Sequence, residues 1–191
     1  MKKKGVLGGF TVLEMIIVMG IMLTMVSLVL ANYPSFNERL GVRQAAEEIA
    51  SSGRQVQAYG LGVKEFGKGS GAFPGYGLHF SRFASADVPA TSYIFFADNN
   101  KDLQYNAPGE KISDAPIQGS AYISDICANQ KQIPAGPCGL LSLDVVYLRP
   151  TPSVSLKSGG FLYADVEVKI KGSRGTTKTI IFWLSGQVSI E

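Results

Sequence analysis

The chain has 191 residues, of which 46% are hydrophobic and 17% are charged, so it is richer in apolar residues than an ordinary soluble domain. Its formal net charge of +3 comes from Lys2, Lys3 and Lys4, and the rest of the chain carries 15 basic and 15 acidic residues. This balance argues against a general affinity for nucleic acid, because proteins that bind nucleic acid carry a basic patch or stripe.

The segment after the three lysines is long and apolar enough to cross a membrane. It reads FTVLEMIIVMGIMLTMVSLVLA over residues 10–31, and as an α-helix it would extend about 33 Å. The lysines before it favour a cytoplasmic location for that end, which would place the rest of the chain outside the cytoplasm. Glu14 is the only charged residue of the segment. A carboxylate within a membrane-spanning helix costs about 2.5–3.5 kcal/mol, so we expect Glu14 to have a partner.

Two other kinds of N-terminal segment fit part of this pattern. A cleaved secretory signal peptide would end near Ala31, but the apolar run is longer than a usual signal core, it contains Glu14, and the helical pattern continues beyond it. A simple uncleaved anchor explains the length and leaves the carboxylate unexplained. A carboxylate that reaches the lipid headgroups from the end of the helix is a further interpretation of Glu14.

Residues 32–60 predict an amphipathic continuation of the helix. Apolar side chains recur at helical spacing, with charged residues between them. Pro34 predicts a kink or the start of a new helix, whereas Gly60 and Gly62 predict its end. We expect the apolar stripe to lie against a β-sheet.

Residues 61–191 predict a β-rich globular domain. The stretch 64–75, KEFGKGSGAFPG, indicates a loop. Strands are predicted at 76–80, 92–97, 121–126, 140–148, 161–171, 178–184 and 187–190, with clear alternation in 161–171. The chain therefore predicts an α+β fold, in which one long N-terminal helix packs on an antiparallel β-sheet or sandwich.

Cys127 and Cys138 are the only cysteines, and they flank a segment with the composition of an exposed loop. If the domain lies outside the cytoplasm, a disulfide between them would stabilise the domain by about 2–3 kcal/mol. Two unrelated thiols are the alternative.

The turn DNNKDLQYNAPGE, residues 98–110, places oxygen-bearing side chains at alternate positions. Asp98, Asn100 and Asp102 alternate as in a calcium-binding loop, and Glu110 could complete the coordination sphere. The pattern departs from an EF-hand, because Leu103 stands at the glycine position and Glu110 falls one place late. Asp and Asn also favour plain hairpin turns through hydrogen bonds to their own backbone. Both interpretations stay open.

The chain shows no catalytic motif. GxSxG, HExxH, a phosphate-binding loop and paired CxxC motifs are all missing from the sequence. The single histidine, His79, has no Cys or His close to it in sequence and is interpreted as an ordinary strand residue. We therefore expect no enzymatic activity.

The N-terminus as a whole resembles the leader of type IV pilins and of type II secretion pseudopilins. The resemblance combines the three lysines, Gly8-Gly9, and Phe10-Thr11-Val12-Leu13-Glu14. In that family a prepilin peptidase cuts after the glycine on the cytoplasmic side and N-methylates the new first residue. The resemblance implies a leader at residues 1–9, cleavage between Gly9 and Phe10, and N-methylation of Phe10. Glu14 is then an assembly residue, whose partner is the new α-ammonium of a neighbouring subunit.

Three later stretches resemble the GspH/FimT branch of minor pilins and pseudopilins. They are GYGLHF, SYIFFADNNKDLQYNAPGEKI and the closing TIIFWLSGQVSIE. The resemblance implies a structural subunit of a type II secretion pseudopilus or a type IV pilus. Its partners would be prepilin peptidase, other pilin or pseudopilin subunits, the inner-membrane assembly platform and membrane lipid. It would start as a single-pass protein of the inner membrane with its C-terminal domain outside the cytoplasm, and then enter a periplasmic or surface filament.

Two other functions stay open at this point. The first is an exported binding module, for DNA uptake or adhesion, displayed on such a fibre. Lys169, Lys171, Arg174 and Lys178 could serve it, although a solvated hairpin end accounts for them equally. The second is a membrane-anchored protein that never polymerises.

Overall fold

The computed structural model describes residues 9–62, 64–67, 71, 73–83, 89–149 and 154–191. The predicted basic leader, Lys2–Lys4 with Gly8, and part of the predicted loop at 64–75 lie outside these residues. The described elements are one helix, α1 (Val12–Leu61), and the strands β1 (Gly75–Ser81), β2 (Ser92–Asp98), β3 (Lys111–Pro116), β4 (Tyr122–Ala128), β5 (Ser142–Tyr147), β6 (Val154–Ser158), β7 (Phe161–Leu162), β8 (Asp165–Lys171), β9 (Thr177–Trp183) and β10 (Val188–Ile190).

The chain forms two compact units, one up to Asn37 and one from Glu38 to Glu191. The described part of the first unit is almost entirely helical. Helix α1 is continuous through Pro34, so the alternative in which this proline begins a new helix is wrong. The helix ends at Leu61, between the two glycines that predicted its end, and Gly62 N–H donates to the Ala58 carbonyl at 2.9 Å.

The second unit contains two antiparallel sheets. The larger sheet has the strand order β3-β2-β1-β5-β6-β7, and the smaller sheet has the order β10-β9-β8-β4. Together with the long helix they confirm the predicted α+β class.

The helical part of the second unit packs against the sheets through a stripe of small and branched side chains. Its buried apolar residues recur every three or four positions, as one face of a helix requires; they are Val42, Ala45, Ala46, Ile49, Ala50 and Val56. They share one core with apolar side chains of both sheets, including Leu78, Phe80, Val145, Val166 and Phe182. The alanines let the helix approach the sheets closely.

The strand predictions were wrong at three places. Strand β3 was missed because its sequence, KISDAP, is polar and mostly exposed at the edge of the larger sheet. Strand β6 was missed as well. The predicted strand 161–171 is two strands, and Ala164 N–H between them donates to the Asn129 side-chain oxygen at 2.8 Å instead of to a strand.

Candidate assembly site

The predicted cleavage junction lies just before helix α1. Gly9 and Phe10 have no regular secondary structure, and 78% of Phe10 is exposed. The Thr11 hydroxyl accepts a hydrogen bond from Glu14 N–H at 3.3 Å. Thr11 therefore caps the helix, and the Thr-x-x-Glu spacing is that of a capping box. The sequence carries this signal as a Thr-x-x-Glu spacing at residues 11–14, and the role in capping is additional to the predicted paired or headgroup-reaching carboxylate.

The Glu14 carboxylate itself accepts no hydrogen bond and forms no ion pair within the described residues. Its position in the first turn is electrostatically favourable in water, because the N-terminus of a helix carries partial positive charge. In lipid this partial charge is a weak substitute for a full cation. The single chain thus gives Glu14 a local role in starting the helix and leaves its charge available to another group.

The apolar side chains of the first unit are exposed on every side of the helix. Those between Val12 and Leu30 are 49–78% exposed. Within the described residues α1 is the one helix long and apolar enough to cross a membrane. An apolar surface of this kind requires lipid or other apolar helices around it.

The structure joins Cys127 and Cys138 by a disulfide. The bridge closes a loop that is held further by backbone pairing, since Ala128 N–H donates to the Pro137 carbonyl at 2.9 Å. Asp125 lies beside the two sulfurs, and the three form the single group of potential metal ligands found in the described part of the chain. Sulfurs bonded to each other are not thiolates, which are the form of cysteine that binds metals. The group is therefore structural.

The four residues of the candidate calcium loop lie together in the turn between β2 and β3. Asp98 is fully buried, and its two oxygens accept hydrogen bonds from Asp102 N–H and Leu103 N–H, both at 3.1 Å. The Asn100 side-chain oxygen also accepts from Asp102 N–H, at 3.0 Å. Glu110 accepts from the backbone N–H of Asn99 at 3.0 Å.

These side-chain oxygens face backbone donors, as they do in a plain Asx-type turn. Burial raises the pKa of the Asp98 carboxyl, its hydrogen bond from Leu103 N–H opposes that shift, and the charge of Glu110 adds to it. A calcium ion would have to displace the backbone donors to gain the same oxygens. The geometry favours the turn, and calcium binding stays a prediction.

A pair that sequence reasoning missed joins β1 to β5. His79 and Asp144 are directly opposite in the sheet, and His79 Nδ1 lies 2.7 Å from Asp144 Oδ1. The Tyr105 ring lies 5.0 Å from the imidazole, and Tyr105 N–H donates to the same carboxylate at 3.3 Å. Within the described part of the chain no hydroxyl or thiol hydrogen-bonds to His79, so the pair lacks the nucleophile of a catalytic triad. Its geometry serves instead to fasten the turn that carries Tyr105 onto the larger sheet.

The predicted basic hairpin end, between β8 and β9, is not simply solvated. Glu38 reaches it from helix α1, and only 5% of the Glu38 side chain is exposed. Its carboxylate accepts hydrogen bonds from Arg174 N–H at 2.9 and 3.0 Å and from Thr176 N–H at 3.2 Å. The turn thus holds an anion of its own chain mainly with its backbone, and the half-exposed Arg174 side chain adds a long ion pair, with Nε 4.0 Å from Glu38 Oε2.

Comparison of the chain with known protein families, with curated proteins and with solved structures finds no match.

Proposed function

We propose that this chain is a minor pilin or pseudopilin, a structural subunit of a type IV pilus or a type II secretion pseudopilus. One observation carries the proposal: the apolar first part of helix α1, residues 12–31, is exposed on every side and holds a single carboxylate, Glu14, in its first turn. A simple anchor needs the apolar surface, and the cap that Glu14 shares with Thr11 does not require a full charge, which is costly in lipid without a partner. A subunit that assembles through this helix needs both.

The proposed chemistry begins at the junction between Gly9 and Phe10. Hydrolysis of this peptide bond by prepilin peptidase removes the basic leader and creates an α-ammonium on Phe10, which the same enzyme N-methylates. The ammonium of one subunit then pairs with the Glu14 carboxylate of its neighbour. Within lipid or a packed helix bundle such a pair avoids the cost of two separate buried charges. An uncleaved chain has no ammonium at Phe10 and keeps three lysines, so it stays in the membrane.

The second unit would then be displayed outside the cytoplasm. The disulfide between Cys127 and Cys138 supports export, because such bonds persist in oxidising compartments. The packing of the helix on two antiparallel sheets is compatible with a pilin-like subunit. The role proposed for this unit is structural, and its partners are other subunits of the fibre and the assembly platform of the inner membrane.

The N-terminal residue of the membrane-extracted protein tests the proposal. We would measure the intact mass after expression with and without prepilin peptidase, with a known substrate of the peptidase as control. A peptidase-dependent start at methylated Phe10 is the expected result. A start after Ala31 would make the chain an ordinary exported domain. An intact Met1, with the control processed, would make it a simple anchor; either result overturns the proposal.

A further inference from the structure

A basic groove lies on the second unit where helix α1 meets the smaller sheet. It has a volume of about 490 Å³, and its walls are formed by Arg39, Arg43, Glu47, Thr176, Lys178 and Ile190. One wall belongs to the helix and the other to β9 and β10. The groove therefore depends on the folded unit and is not a property of the helix sequence alone.

The charges of the groove are mostly uncompensated. Arg43 lies 3.9 Å from Glu47, a long and exposed ion pair of little strength. Arg39 and Lys178 form no ion pair within the described residues. The nearby Glu38 carboxylate is occupied by the backbone of the β8–β9 turn. Three cations thus face one weakly engaged carboxylate, and the groove favours an anion.

The position of the groove in the chain narrows the choice of anion. Tyr33 and Phe36, which are 59% and 60% exposed, follow the apolar run, and aromatic side chains at such positions mark the membrane–water interface. Arg39 comes three residues after Phe36, a distance of at most about 11 Å even for an extended chain. If the apolar run spans the membrane, Arg39 therefore lies at or close to the phosphate groups of the lipids.

From these observations we propose that the groove binds the headgroup of an anionic phospholipid. The lipid would belong to the membrane leaflet on the same side as the second unit. The guanidinium groups of Arg39 and Arg43 suit phosphate oxygens, because they donate two parallel hydrogen bonds, and Lys178 adds a third positive charge from the sheet. The inference rests on the membrane-spanning part of the proposed function. Its consequence is that a lipid would hold the second unit at the membrane surface before assembly.

The test uses the full-length chain in nanodiscs that contain equal amounts of phosphatidylglycerol and phosphatidylcholine. Native mass spectrometry of the released protein would measure the ratio of the two lipids that stay bound. We expect phosphatidylglycerol to be preferred, and the preference to fall about fivefold for each basic side chain replaced in R39Q, R43Q and K178Q. R54Q, an exposed arginine elsewhere on the same helix, is the matched control and should leave the preference unchanged.

Two further variants separate charge from folding. R39K and R43K keep the charge and should keep most of the preference. Equal lipid ratios for the wild type and R39Q/R43Q, or an equal loss in R54Q, would overturn the inference. Thermal stabilisation of the chain by inorganic phosphate, equal to that by the lipid, would indicate a free-anion site and overturn it too. The same spectra give the mass of the protein and therefore show whether the chain has been cleaved before Phe10. Failure of the pilin route, seen in the protein mass, is thus distinguished from failure of the lipid site, seen in the lipid ratio.

Discussion

The carboxylate of Glu38 is held by the backbone of Arg174, 136 residues further along the chain. Glu38 is the first residue of the second compact unit. Its contact fixes the beginning of that unit's helix to the turn between β8 and β9. The glycine at position 172 leaves room for this approach, because a Cβ there would lie 2.5 Å from Glu38 Oε1. The contact therefore ties the first residue of this unit's helix to the smaller sheet.

The substitution Glu38→Gln tests the strength of this contact. The amide keeps one acceptor oxygen but loses the charge, and hydrogen bonds to a charged group are worth about 1.5–3 kcal/mol. We expect the free energy of unfolding of the second unit to fall by about 1–2 kcal/mol. Urea unfolding in detergent, followed by the fluorescence of the single tryptophan, Trp183, would measure it.

Glu47→Gln is the matched control for that measurement, because Glu47 lies on the same helix, is exposed and, among the residues that the structure describes, forms only a long ion pair with Arg43. Loss of this ion pair should lower the free energy of unfolding by less than about 0.5 kcal/mol. Equal effects of the two substitutions would mean that the contact at Arg174 adds nothing to stability.

Gly60→Ala should destabilise the second unit through a steric clash. A Cβ at position 60 would lie 2.5 Å from the Tyr147 carbonyl oxygen and 2.6 Å from its Cβ, so the helix would have to move away from β5. Overpacking of this kind costs about 1–3 kcal/mol. Gly41→Ala, with no atom within 4 Å of the new Cβ, should instead stabilise the helix by about 0.5–1 kcal/mol. Unfolding curves that shift in the same direction for both variants would contradict this packing.

Helices and strands that have a regular pattern of apolar residues or a terminating glycine could be predicted from the sequence. Alternation in the stretch 161–171 placed β8, because its apolar residues Val166, Val168 and Ile170 alternate with polar ones. Glycines placed the end of α1 within one residue. Strand β3 was not predicted, because its position at the sheet edge leaves its side chains exposed. Neither alternation nor a hydrophobic run therefore marks it in the sequence.

Long-range pairs could not be predicted in the same way. His79 pairs with Asp144 across the register of β1 and β5, and no local signal links residues 65 positions apart. The contact between Glu38 and the β8–β9 turn has the same character. By contrast, the cap at Thr11 has a local signal in the sequence, the Thr-x-x-Glu spacing. The long apolar run around it is the stronger pattern and favours interpreting Glu14 as a carboxylate in lipid.

Tyr147→Phe should stabilise the protein, most of all at high pH. The Tyr147 hydroxyl is buried without a hydrogen-bond partner within the described residues, and burial raises its pKa to about 12. The unfolded chain therefore loses this proton near pH 10, before the folded protein does, so the wild type loses stability as the pH rises from about 10 to 12. The phenylalanine variant lacks this loss and should gain about 1 kcal/mol already at pH 7.

Tyr93→Phe is the control for the neutral-pH gain, because the Tyr93 hydroxyl is hydrogen-bonded to Ser52 at 2.8 Å. Its removal should cost about 1 kcal/mol. Urea unfolding at pH 7 and pH 11 would check both variants. A difference between wild type and Tyr147→Phe that stays constant from pH 7 to 11 would contradict the raised pKa.

Calcium should leave the thermal stability unchanged if the turn at residues 98–110 is a plain turn. The oxygens of Asp98 and Glu110 already accept backbone hydrogen bonds, so an ion would replace existing interactions. We expect the unfolding midpoint in 1 mM calcium and in excess EDTA to agree within about 1 °C. A site filled to 100 times its dissociation constant would instead add about 2.7 kcal/mol and raise the midpoint by several degrees. An Asp102→Asn variant that abolishes such a rise would then assign the ion to this turn.

Glu14→Gln separates the two roles that the first turn of α1 allows. Glutamine serves at this position of a capping box almost as well as glutamate, so helix formation and insertion should be preserved. The charge is lost, and with it the pairing to a neighbouring Phe10 ammonium. We therefore expect a chain that is processed normally and is at least tenfold less abundant in sheared fibres than the wild type. This loss corresponds to about 1.4 kcal/mol or more per subunit contact.

Thr11→Ala is the control for the capping role. It removes the cap, which is worth about 1 kcal/mol, but keeps the charge, so it should assemble far better than Glu14→Gln. The reverse order of the two variants would make Glu14 a capping residue and remove the ion pair from the assembly mechanism.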